Sequence, residues 1–144
     1  MRTGRSYKEV TLVMIDDDDV DFMAFERALK ELRIVNPIVR ARNGREGLAL
    51  LRDPTAVPRP YIVLLDINMP QMSGLEMLTQ VRADPSLRNA VIFVLTTSKS
   101  DEDRIAAYRN HIAGYIVKDQ IEANFLDIVE MLDSYWRVVA LPDE

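Results

Sequence analysis

Asp66 ends an unbroken apolar run, Tyr61-Ile62-Val63-Leu64-Leu65, and is followed by Ile67-Asn68-Met69-Pro70 and then Ser73-Gly74. Two further acids, Asp16 and Asp17, end another apolar stretch, Val10 to Ile15. Thr96 closes Ala90 to Leu95, and Lys118 closes Gly114 to Val117. A short apolar run bounded by turn residues fits a strand buried on both faces. In open α/β sheets, ligands bind beyond the carboxyl ends of the strands. These carboxylate, hydroxyl and ammonium groups therefore gather on one rim. Carboxylates at close range, here Asp16, Asp17 and Asp66, repel one another and want a cation. Mg²⁺ answers this, because it takes hard oxygen ligands and keeps positions for substrate phosphate. Lys118 can hold a phosphate oxygen as a point charge, and the Thr96 hydroxyl can donate to another. Asp66 then reads as a nucleophile that accepts a phosphoryl group and becomes an aspartyl phosphate.

The elements that must position these groups alternate along the chain. The first strand, Val10 to Ile15, leads into Asp16-Asp17-Asp18-Asp19, and Phe22, Phe25, Leu29 and Leu32 then recur at helical spacing. Asn36 to Ala41 reads as a second strand. Asn43-Gly44-Arg45-Glu46 and Ser73-Gly74-Leu75-Glu76 have the form of capping boxes and open the second and third helices. Between them, Asp53-Pro54 to Pro60 is a proline-rich surface loop before the third strand, and Asp84-Pro85 ends the third helix. Ser100 opens a fourth helix carrying Ile105 and Tyr108. Asp119-Gln120-Ile121-Glu122 opens a long last helix with Ile121, Phe125, Ile128, Leu132, Trp136 and Val139 on one stripe. Five strands alternating with five helices predict an α/β fold with a doubly wound parallel sheet. A flavodoxin-like order 2-1-3-4-5 would bring Asp17 and Asp66 face to face at the switch point.

Composition narrows the function. The 144 residues read as one domain, with residues 1–9 as a flexible polar arm and residues 119–144 as last helix and tail. A net charge of −5 argues against nucleic-acid binding. The absence of cysteine excludes disulfides, thiolate metal sites and a thiol nucleophile. The first nine residues lack the apolar core of a signal peptide, and no apolar run reaches the ~20 residues of a membrane helix. A cytoplasmic protein is the expectation.

Taken together, Ile15-Asp16-Asp17, Leu65-Asp66-Ile67-Asn68-Met69-Pro70 with Ser73-Gly74, Leu95-Thr96-Thr97-Ser98 and Gly114-Tyr115-Ile116-Val117-Lys118 resemble the receiver domain of two-component response regulators. The match in order and spacing covers nearly the whole chain. The resemblance implies that a histidine kinase phosphorylates Asp66, with Asp16, Asp17 and the Asn68 backbone carbonyl serving Mg²⁺. It implies that Thr96 and Lys118 contact the phosphoryl group and that Tyr115 turns inward on activation. The proline-containing loop before strand three, the Leu95-Thr96-Thr97-Ser98 run and the tail from Tyr135 to Pro142 are similar to single-domain receivers paired with phytochrome-type histidine kinases. One departure is Asp119, where most receivers have a proline after the lysine.

Blander readings compete at each position. The acidic run can be only a helix start, and Asp18 and Asp19 are expected to face solvent. Asp17, Asp19 and Asp21 imitate a calcium loop, which fails because Phe22 and Ala28 stand where it needs Gly and Glu. A Mg²⁺-dependent phosphatase with Asp66 as nucleophile is the alternative function, but its general acid would fall on Asn68. A pseudo-receiver that only binds a partner would not need the complete set of polar groups. Tyr115 can be plain packing, Trp136 either core or interface, Met69 and Met72 loop packing, and His111 a surface or helix-end residue. Val129, Tyr135 and Val138 lie partly off the stripe of the last helix, and Leu141-Pro142 extends it. A second apolar strip asks for cover, so a homodimer is expected on the face of the fourth helix, fifth strand and last helix. The output is then self-association, a partner protein or onward phosphotransfer.

Overall fold

The computed structural model describes residues 9–118 and 125–142. Its elements are β1 (Thr11–Ile15), α1 (Asp19–Glu31), β2 (Ile38–Ala41), α2 (Gly44–Leu51), β3 (Tyr61–Leu65), α3 (Gly74–Ala83), β4 (Val91–Thr96), α4 (Asp101–Arg109), β5 (Gly114–Val117) and α5 (Phe125–Val138). The strands form one parallel sheet in the order β2-β1-β3-β4-β5, the flavodoxin-like arrangement expected. β2 is shorter than the apolar pattern implied, beginning after Pro37, which has no N–H to give a ladder. The Asp119 to Glu122 box, Ile121 and the Lys118-Asp119 junction lie wholly or partly outside the described residues.

Strand alternation builds two core layers. Val13, Ile15, Val63, Leu65, Ile92 and Val94 pack on one face with Leu48 and Leu51 of α2, Met77, Leu78 and Val81 of α3 and Ala107 of α4. Leu12, Met14, Ile62, Leu64, Phe93 and Leu95 pack on the other with Phe25 and Leu29 of α1 and Ile128, Val129 and Leu132 of α5. Val129 is fully buried, and Tyr135 sits edge-on against Phe93 with ring centroids 5.2 Å apart. Neither belongs to an outward strip, because the core-facing stripe of α5 is wider than one row of residues. Val138 does stand out, at 83% exposure. Ile105 and Tyr108 of α4 also face outward. His111 is exposed just past α4 with φ 58, a left-handed residue closing a helix.

The helix starts lock the loops at the strand ends. Asp18 caps α1, its side chain accepting from the amides of Val20 and Asp21. Asn43 accepts from the Glu46 amide, while the Glu46 carboxylate takes the Arg42 amide. Ser73 and Glu76 form a complete capping box at α3. That box seats Gly74 against the loop that carries Asp66. A methyl group on Gly74 would lie 2.5 Å from the Asp66 carbonyl oxygen and 2.6 Å from Ile67 Cα. On Gly47 it would meet Ile15 Cδ1 at 2.7 Å, the movable end of a side chain. Gly74→Ala should therefore cost about 2 kcal/mol in urea unfolding. Gly47→Ala should stay within about 1 kcal/mol of the parent, since better helix propensity offsets a small shift. Equal stabilities for the two variants would contradict this packing.

Candidate functional site

The sheet register delivers the rim. Ile15 pairs with Leu65, so Asp16 and Asp66 leave neighbouring strands side by side. The Asp66 amide donates to the Ile15 carbonyl at 2.9 Å, and the Asp16 amide to the Ala41 carbonyl at 3.0 Å. Asp16, Asp17 and Asp66 each offer a carboxylate oxygen, all within 4.8 Å of one another. Asp16 and Asp66 are buried and Asp17 is exposed. Lys118, one residue past β5, reaches this group: Nζ is 2.8 Å from Asp16 Oδ2 and 3.5 Å from Asp66 Oδ2.

Each carboxylate is also tied to backbone. Asp16 Oδ1 accepts from the Asp18 amide at 2.9 Å, and Asp66 Oδ1 from the Asn68 amide at 3.0 Å. The Asn68 side-chain amide donates to Thr96 Oγ1 at 3.4 Å, and the Ser98 amide donates to the same oxygen at 3.2 Å. Thr96 is fully buried. The Tyr115 hydroxyl donates to the Ser98 carbonyl at 3.0 Å, and its ring packs with the α2/α3/α4 layer. Thr96 and Tyr115 thus meet through Ser98 on the far side of the sheet from α1 and α5. Met69 and Met72 pack against the same layer, as loop packing.

Two residues of the site were not read from the sequence. Asp21 Oδ2 lies 2.6 Å from Lys118 Nζ. Its signal was present in the acidic run: with Asp18 as cap, Asp21 falls on the turn of α1 that faces the sheet rim. Arg40 is the other. Its guanidinium donates to the Asp16 carbonyl at 3.3 Å and 3.1 Å, pairs with Asp19 at 2.6 Å and lies over the Phe22 ring, 4.8 Å from its centroid. It pins the backbone from which Asp16 projects. Asp19 is solvent-facing as expected but is held by Arg40 and Arg42, which keep its carboxyl below the usual range.

Electrostatics explains what the cluster wants. Burial is the main cause that pushes the Asp16 carboxyl up to about 6, with Asp66 adding repulsion and Lys118 and the Asp18 amide opposing. Burial alone would depress the Lys118 ammonium, but its hydrogen bonds to Asp16 and Asp21 outweigh that and raise its pKa. Lys118 is therefore charged at neutral pH and partly neutralises the cluster. Three clustered carboxylates, one of them resisting ionisation, make a donor set suited to a hard divalent cation.

The response regulator receiver domain family matches residues 12–130, and the chain belongs to that family. It is a receiver-domain response regulator of two-component systems. The chain is similar to response regulator Rcp1 of Synechocystis sp., with 30% identity over 135 residues covering 91% of this chain and 92% of the relative. The structure of the Mn²⁺-bound form of Rcp1 superposes with a TM-score of 0.80 at 29% identity, covering 92% of this chain and 98% of Rcp1. The phosphorylated cyanobacterial phytochrome response regulator RcpA does so with 0.79 at 28% identity, covering 92% and 97%. No helix among the described residues is long and apolar enough to cross a membrane.

The raised Asp16 carboxyl fixes a sign. Its folded value, about 6, exceeds the ordinary 3.8, so the folded state holds this proton more tightly than the unfolded chain. Its contribution to stability is therefore full below the ordinary value and is lost as pH rises through the folded one. In chelator, Asp16→Asn should be more stable than the parent above about pH 6, and its advantage should shrink as pH falls toward the ordinary value. Urea unfolding across that range checks this; an advantage that does not vary with pH would refute it.

Proposed function

We propose that Asp66 accepts a phosphoryl group from the phosphohistidine of a phytochrome-type histidine kinase, and that the modified protein signals by a change of shape. The observation that carries this is the Asp66 carboxylate set within 4.8 Å of Asp16 and Asp17 and 3.5 Å from Lys118. An Asp66 oxygen attacks phosphorus, the O–P bond forms, the N–P bond breaks, and the imidazole leaves with a proton from solvent. Asp16, Asp17, Asp66 and the Asn68 carbonyl would hold Mg²⁺, which draws charge from the phosphoryl oxygens. Lys118 and the Thr96 hydroxyl take the remaining oxygens. Rcp1 solved with Mn²⁺ and RcpA solved phosphorylated, the latter a phytochrome response regulator, support this reading. A kinase that draws on ATP places the exchange in the cytoplasm.

The switch in this reading is Thr96 with Tyr115. When the Thr96 hydroxyl turns to the phosphoryl group, its bond with the Ser98 amide goes, and Tyr115 moves into the space. The phosphatase alternative has less support, because Asn68 stands where a general acid is needed and an amide has no acidic proton to give.

Incubation with Mg²⁺ and a small phosphodonor should add one phosphoryl group per chain by intact mass, labile to alkali and hydroxylamine as an acyl phosphate. Asp66→Asn should remove it. Thr96→Ala should keep the label but lose the shift of the Tyr115 resonances in NMR. Labelling of the Asp66 variant would defeat the assignment, and rapid multiple turnover on phosphate esters would favour the phosphatase instead.

We propose further that two copies pair through α4, β5 and α5. Ile105, Tyr108 and Val138 are exposed at 48%, 50% and 83%, and α4 packs against the edge strand β5. Two-fold dimers are the commonest oligomers. Sedimentation at micromolar concentration should show a dimer, and Ile105→Glu with Val138→Glu a folded monomer. A monomeric parent under those conditions would rule the dimer out.

A further inference from the structure

The shortest carboxylate contact of Lys118 is with a residue outside the cluster around Asp66. Nζ stands 2.6 Å from Asp21, 2.8 Å from Asp16 and 3.5 Å from Asp66. The lysine is thus drawn toward α1 and away from the acid whose phosphoryl group it must meet. Its side chain is 12% exposed and that of Asp21 21%, so water screens their contact only in part. Asp21 is not one of the three acids within mutual reach of a metal. A cation held by Asp16, Asp17 and Asp66 would compensate Asp16, and Asp21 would keep its full pull on the ammonium.

We infer that Asp21 is a positioning residue that holds Lys118 back from Asp66 until a phosphoryl group arrives, and so sets how tightly the site grips that group. The inference rests on the reading of Asp66 as phosphoacceptor. A phosphoryl group brings charge of about −2 and strong acceptor oxygens to Asp66. To meet them Lys118 must lengthen its charge-assisted bond to Asp21. Gripping the group therefore costs the difference between two contacts of the same ammonium. With Asp21 neutralised, that cost falls and Lys118 settles between Asp16 and Asp66.

The test uses beryllofluoride, a tetrahedral mimic of the phosphoryl group on aspartate, titrated by calorimetry at saturating Mg²⁺ into the full chain. Asp21→Asn is nearly isosteric, and the cap of α1 comes from Asp18, so the helix start is retained. Asp21→Asn should bind beryllofluoride about threefold tighter or more, the scale of a partly screened ion pair. The same change made in a Lys118→Gln background should give no such gain. Loss of negative charge acting at a distance would help both backgrounds alike, so equal gains would overturn the inference. Unchanged or weaker binding by Asp21→Asn would overturn it too. If the parent takes up beryllofluoride no better than Asp66→Asn, the phosphoacceptor reading itself fails. If the parent binds it and Asp21→Asn binds no tighter, only the role of Asp21 falls.

Discussion

The structure turns on forcing like charges together. Asp16 and Asp66 emerge from paired strands and are buried at the same edge of the sheet, with Asp17 beside them. Burial first, and repulsion from Asp66 as well, oppose ionisation of Asp16. Lys118, brought in by β5 from the far side of the sheet's order, supplies the compensating charge. The arrangement is tense rather than neutral, and three carboxylates so placed make a donor set suited to a hard divalent cation.

Side chains under such repulsion stay in place only if the backbone beneath them cannot yield. Here the frame is fastened at several points. Gly74 touches the Asp66–Ile67 backbone and its amide donates to the Ile67 carbonyl. Arg40 grips the Asp16 carbonyl, and the amides of Asp18 and Asn68 hold one oxygen each of Asp16 and Asp66. Among the described residues, no buried side-chain nitrogen or oxygen lacks a hydrogen-bond partner, as a rigid polar site requires.

Much of this was legible in the sequence. Apolar runs ended by polar residues gave the strands, and capping residues gave the helix starts, because both signals are local. The strand order and the gathering of Asp16, Asp17, Asp66, Thr96 and Lys118 followed from the general behaviour of parallel sheets. What was not legible depended on phase. In a run of four acids and a fifth close behind, the choice of Asp18 as cap decides that Asp21 turns toward Lys118 and Asp19 toward solvent. A one-residue change in the start of α1 would exchange those roles, and composition cannot choose between them. Val129 and Tyr135 show the same weakness, since the width of the buried stripe on α5 depends on the partners it meets, here Phe93 among them. Arg40 carried no sequence signal, because two of its partners are the Asp16 backbone carbonyl and the Phe22 ring face, and its acid, Asp19, lies 21 residues away along the chain.

The alternation that splits the core also splits the rim. Lys118 and Asp21 work on the side of α1 and α5, whereas Thr96, Ser98 and Tyr115 belong to the side of α4. For anyone building chimaeric signalling circuits, this partition is a wiring diagram. On the proposed reading, residues near α1 would be exchanged to retune how the site is charged, and residues near α4 to retune what listens to it, with the strands β3 and β4 left as a shared insulating bus between the two.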